Sequence, residues 1–156
     1  MFGFFIAQKM IDKTNRPSPD ERFFIGRNMN SFHIEQTLLT HIKAWDYFDD
    51  VPLAKENRNF KPPDGIWGRV TILGGVNQVR SISDKPDIMQ QGTLVIQLFC
   101  PQDLGTVAIK QKADSLAQYL KAKQLGRLEL LAPSIINVPS NDGIYQINVS
   151  VPYRYY

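Results

Sequence analysis

Residues Gln97–Leu120 read QLFCPQDLGTVAIKQKADSLAQYL and are the most organised part of the chain. An apolar run stops at Cys100-Pro101. A short loop with one glycine, Gly105, follows, and a long patterned segment begins after it. Three readings fit this outline: a phosphate-binding strand–loop–helix, a cysteine nucleophile at a strand end, or a joint between two elements with no chemistry.

A phosphate loop needs several glycines and a Lys-Ser/Thr pair, so that bare N–H groups can wrap the anion. CPQDLGT has one glycine and no lysine, and Asp103 would repel phosphate. A nucleophilic cysteine needs a stabilised thiolate and a base. The chain has two histidines, His33 and His41, on one expected helix. Eight residues apart, they point about 80° from each other, which also spoils them as a metal pair. Asp49 and Asp50 are adjacent, while Asp103 and Asp114 stand apart in a loop and on a helix. No acid/base pair, G-x-S-x-G elbow or Cys/His cluster emerges. The residues therefore nominate no catalytic, cofactor-binding or metal-binding position. What remains is a core strand turning through a corner into an amphipathic helix.

Working outward, TLVIQLFC is apolar at both alternating positions, which implies cover on both faces or burial against another subunit. The helix after it begins near Thr106, with Ile109, Ala113, Leu116, Ala117 and Leu120 on one face. Gly126 suits its C′ position, and Lys121, Lys123 and Arg127 suit the negative end of its dipole. Upstream, Ser31 to about Phe48 reads as a helix with Ile34, Leu38, Ile42 and Trp45 in one stripe. It closes on WDYFDD, where Asp46, Asp49 and Asp50 oppose the dipole and suggest a charged interface. IWGRVTIL reads as a strand, NQVRSIS as a weak one, and DKPDIMQQG as a polar connection. SIINV and IYQINVSVPYRYY form a hairpin across PSNDG. Pro152 cannot donate to a ladder, which places that end at an edge or off the sheet. The expected fold is α+β: one mixed, mostly antiparallel sheet of about five strands, with two amphipathic helices packed on it.

At 156 residues the chain fits one domain with a sizeable core. Residues 29–156 are expected to form it. Residues 1–28 read as a proline-broken arm or as an extension ahead of a true start at Met29. The opening MFGFFIAQKMI lacks a basic stretch and a cleavage site, so a soluble protein made in a cytoplasm is expected. No run of eighteen apolar residues predicts a membrane helix. One cysteine allows no internal disulfide. Net charge is +3 with a pI near 9.0, short of the clustered basicity of nucleic-acid binders. The basic second helix and the tyrosine-rich YRYY tail leave a nucleic-acid- or ligand-binding module open as an alternative to assembly.

The order of pieces resembles the small tail terminator proteins of long-tailed, lambda-like bacteriophages. A short helix at Phe32–Trp45 comes first. WGRVTIL, QGTLVIQLFCPQDLG, the Ala113-Asp114 helix KADSLAQYL and the closing VSVPYRYY follow in turn. The resemblance covers Ser31 to Tyr156. It implies a virion structural protein assembled in the host cytoplasm, with no catalytic centre, cofactor or membrane. It further implies a homo-hexameric ring that caps the tail tube, stops its polymerisation and meets the head–tail connector, with DNA passing through the lumen unread. Another neck or tail-completion subunit is the nearest alternative. For the subunit and tube interface the expected contributors are Asp46, Asp49, Asp50, Lys85, Lys110, Lys112 and Arg154. The basic helix of one subunit would face the acidic helix end of the next.

Overall fold

The computed structural model describes residues 30–139 and 142–156. The arm or extension expected at 1–28 lies outside them, as do Ser140 and Asn141 of the PSNDG turn. Phe32–Tyr156 forms one unit.

Two long strands form its spine: β4 (Ile88–Pro101) and β8 (Ile144–Tyr155). They pair antiparallel from Gln90↔Tyr155 to Pro101↔Ile144. Side chains alternate across a strand, so this register sorts them into two faces. Leu94, Ile96, Leu98, Ile147, Val149 and Val151 point to one face and are fully buried. Thr93, Val95, Gln97, Asn148 and Ser150 point to the other and are half-buried.

On one side of β4 lie β2 (Trp67–Gly74), the two-residue β1 (Leu53–Ala54) parallel to β2, and β3 (Gln78–Val79) further along. On the far side of β8 lie β6 (Leu128–Leu130), β5 (Gln124–Leu125) and β7 (Ser134–Val138). The mixed, mostly antiparallel sheet is as expected, but it has eight strands rather than about five.

Helices α1 (Ser31–Lys43) and α2 (Val107–Leu120) share one core with the inner face of the sheet. Ile34, Leu38 and Ile42 on α1, and Ile109, Leu116 and Leu120 on α2, supply its helical half. Each such side chain contributes about 1.5–3 kcal/mol by leaving water. Polar contacts lock the helices together: Trp45 Nε1–H donates to Ser115 Oγ at 3.2 Å, and the Tyr119 hydroxyl donates to the His41 carbonyl at 2.7 Å.

Several expectations need correction. The first helix stops at Lys43, and turns carry the chain to Val51, so the three aspartates lie past the helix rather than in its last turn. Ile88 to Gly92 belongs to β4, although its polar glutamines hide the strand. LEL, which has no periodicity long enough to read, forms β6. Gly126, at φ 63°, is the turn of the β5–β6 hairpin and not a helix cap. Lys123 and Arg127 therefore sit on that hairpin, with the Arg127 guanidinium 5.3 Å from the Tyr155 ring centre. TLVIQLFC is covered on one face only by described residues of its own chain.

Pro152 is the most instructive correction, for it lies inside the sheet, opposite Thr93. Its carbonyl accepts from the Leu131 N–H at 2.9 Å, so its missing N–H points the same way, towards the corner between β6 and β7. β7 stops pairing at Ser150 and β6 starts at Tyr153. The proline occupies the seam where the neighbouring strand changes, and no strand there needs its donor.

Gly92 shows how tightly the spine is built. Tyr153, its partner across the ladder, is nearly buried and lays its ring over the glycine. A Cβ at position 92 would stand 2.3 Å from the Leu73 carbonyl oxygen and 2.4 Å from the Tyr153 hydroxyl. Because backbone must move to admit a methyl, Gly92→Ala is expected to cost about 2–4 kcal/mol, at the top of the range for overpacking. Urea unfolding measures this, and an unchanged midpoint would refute it.

Candidate assembly surfaces

The structure brings two of the nominated residues together. Lys112 leaves the flank of α2 with its Nζ 3.7 Å from Asp50 Oδ2 and 3.4 Å from the centre of the Tyr47 ring. Trp45 anchors this corner: its buried indole holds Ser115 and stands edge-on to Tyr47 at 5.7 Å. The acidic segment after α1 and the basic face of α2 thus meet within one chain. Asp46 and Asp49 remain exposed, as does Lys110 on α2. Asp46 also reaches Tyr119 electrostatically: burial first, and that carboxylate second, push the phenol above its ordinary value.

Lys85 and Arg154 lie elsewhere. Lys85 is exposed on the loop between β3 and β4, and its carbonyl accepts from the Ser83 hydroxyl at 2.8 Å. The Arg80–Asp87 pair and a bond from the Asp87 N–H to Ser81 Oγ close that loop. Arg154 projects from the uncovered face of the sheet, between Gln91 and Glu129 in register. Across this face run the rows Arg69–Gln97–Asn148 and Thr71–Val95–Ser150. At its lower end Trp67 stacks on Phe99 at 4.3 Å, with Phe60 beside it at 5.5 Å. The face is polar and mostly uncharged, with one aromatic corner.

The chemistry-bearing residues are absorbed by packing. Cys100 is buried, its thiol pushed up by desolvation and directed at the Gly105 carbonyl 3.8 Å away. His33 meets Tyr155 edge-on at 6.0 Å, and His41 stacks on Tyr119 at 4.6 Å. Both histidines line an open groove of about 500 Å³ between α1 and Leu125 of β5. The His41 Nε2 is sealed from solvent without a hydrogen-bond partner. Burial, then the nearby Lys123 charge, hold that imidazole below its ordinary value of 6.5.

Sequence reasoning passed over the sheet edges. Leu73, Val76, Val79 and Ile82 are exposed on the side of β2 and β3, Ile82 wholly so. Ile135, Ile136 and Ile144 are exposed on the side of β7. The signal was present: an edge strand normally carries a charge or a proline against unwanted pairing, and SIINV has none within it, its prolines, Pro133 and Pro139, lying just outside.

A family model described as phage tail terminator protein matches residues 33–153. None of the curated proteins compared with this chain matches it. Thirteen solved chains do match. One of them aligns with a TM-score of 0.65 at 17% identity, covering 83% of this chain and 97% of its own. At that identity the likeness speaks for the fold alone.

Two outcomes follow from the geometry. Asp50 is largely exposed, so Asp50→Asn is expected to cost under about 1 kcal/mol and less at high salt, by thermal unfolding at two ionic strengths. For His41, the folded state holds the proton less tightly than the unfolded one. The unfolded chain therefore binds more protons below pH 6.5, and stability falls as pH drops from there towards the folded-state value. Urea titrations from pH 7.5 to 5 on the parent and on His41→Gln are expected to show a shallower decline in the variant. Parallel curves would exclude His41 as the source.

Proposed function

The chain belongs to the phage tail terminator family, whose members are structural proteins of the phage tail, and we propose that it is the subunit of a ring that caps the tail tube. In this reading six copies close around an axis, halt addition of tube protein, and offer their free side to the head–tail connector. DNA crosses the lumen without being read. The subunit is made in the host cytoplasm and ends in the virion tail.

The observation that carries this reading is the span of the family match, which runs from the first turn of α1 to Tyr153 of β8 and so takes in α2, all of β4 and all but the last two residues of β8. Two features of the molecule agree with it. Several exposed apolar side chains of the described residues, Leu73, Val76, Val79 and Ile82 on one side and Ile135, Ile136 and Ile144 on the other, lie at the lateral edges of the sheet, as suits a protein whose work is contact with neighbours. Lys112, central to any nucleic-acid reading of the basic helix, is engaged by Asp50 and Tyr47. That leaves α2 a weaker basic stripe than its sequence suggests.

The test is assembly with the tail tube protein of the same phage, followed by negative-stain imaging. The expected result is tubes that stop growing on addition of the chain and carry a six-membered ring at one end. Tubes that lengthen unchanged, from a chain that instead binds oligonucleotide, would overturn the reading.

A further inference from the structure

Each lateral edge of the sheet presents backbone that no described strand pairs. On the first edge the Gly68 N–H donates to the Pro52 carbonyl at 2.9 Å, which directs the even-numbered residues of β2 away from β4. β1 ends at Ala54, opposite Arg69. Ile72 and Gly74 therefore hold their N–H and C=O groups outward. On the second edge, Pro152 and Tyr156 direct theirs away from β4, towards Leu131 and Arg127. The even-numbered residues of β8 thus bond to β7, through Ser134, Ile136 and Val138. Ile135 and Asn137, between them, turn their backbone groups out from the sheet.

VTILGGV (70–76) and SIINV (134–138) contain no charge and no proline, Pro133 and Pro139 standing just outside SIINV and bounding the free edge to these five residues, and each shows exposed large apolar side chains. Two uncharged edges of similar length at opposite sides of one sheet are what a self-associating subunit requires, since one chain then carries both halves of a head-to-tail contact. A foreign partner would need only one of them.

We propose that β7 of one copy adds, antiparallel, to the free edge of β2 in the next copy, joining their sheets into one. The direction follows from the topology. β2 is antiparallel to β4, β4 to β8, and β8 to β7, so β2 and β7 run oppositely within a chain. A rotation about an axis roughly along the strands keeps that relation between chains. It also keeps every helix pair on one side of the joined band and the Arg69–Gln97–Asn148 face on the other. The proposal rests on the ring reading for its closure and not for the pairing itself.

Cross-linking tests it on the full chain. Leu73 and Ile136 both project from the uncovered face and are about half exposed, whereas Cys100 is buried and does not compete. With a short bismaleimide, Leu73→Cys combined with Ile136→Cys is expected to give a ladder of covalent oligomers on a denaturing gel, and each single variant none. Dimers from Ile136→Cys alone would mean symmetric β7–β7 pairing and overturn the proposal, as would no ladder at the highest soluble concentration. In parallel, Asn137→Pro removes one outward donor while sparing the bonds to β8. It should weaken self-association by about tenfold, the loss of roughly one backbone hydrogen bond, with monomer unfolding unchanged. Should that variant misfold, the cysteine ladder decides. Rings that persist in Asn137→Pro without a ladder in the double cysteine variant would sink the edge pairing and leave the ring. A ladder from open filaments in negative stain would keep the pairing and sink the ring.

Discussion

The pairing of β4 with β8 sets everything else in this molecule. Gln90–Pro101 lies residue for residue against Ile144–Tyr155, and a slip of one position would turn every buried side chain to the opposite face. The register holds because one set, Leu94, Ile96 and Leu98 with Ile147, Val149 and Val151, must meet two helices. The other set carries Gln97, Asn148 and Ser150, which keep access to water. Gly92 under Tyr153 adds a steric lock at one end, where no other residue leaves room for the ring.

From this spine the remaining elements follow as additions. Pro101 ends β4, a short 3-10 turn at Gln102–Leu104 reverses the chain, and α2 lays its apolar face back on the strand it has left. α1 reaches the same core through Ile34, Leu38 and Ile42, and two polar contacts tie its end to α2, the His41 carbonyl to Tyr119 and, just past the helix, Trp45 to Ser115. Both helices lie on one side. Among the described residues the sheet therefore has one face closed by helices, one polar face that no described element covers, and two lateral edges that no described strand pairs. The molecule's surfaces carry the opportunities for function, while Cys100 and His41 belong to its packing.

The placement of charge shows why composition is a poor guide to such surfaces. The lysines of α2 and the aspartates after α1 read as free charges awaiting a partner. Folding brings Lys112 over Tyr47 and beside Asp50 in the same chain. A cation held against an aromatic face in this way is less available to an outside anion.

By itself the sequence determined the elements whose pattern is local: the stripes of α1 and α2, the corner at Cys100–Gly105, and the hairpin of SIINV with the alternating last strand. Each is written in the spacing of apolar residues over one or two turns or a few alternating positions, and the ordered pieces were enough to suggest the family. Only the tertiary structure decided the rest. Gln90 to Gly92 are strand because β8 extends alongside them to Tyr155, and Ile88 and Met89 because β3 pairs with them, which no local pattern reveals. LEL and Gly126 form a hairpin because the far end of β8 needs a partner. Pro152 is tolerated inside the sheet because its donor faces a seam between two strands far from it in sequence. The bare edges, too, are properties of strand order: SIINV shows its composition in the sequence, but its lack of a neighbour depends on where the sheet ends.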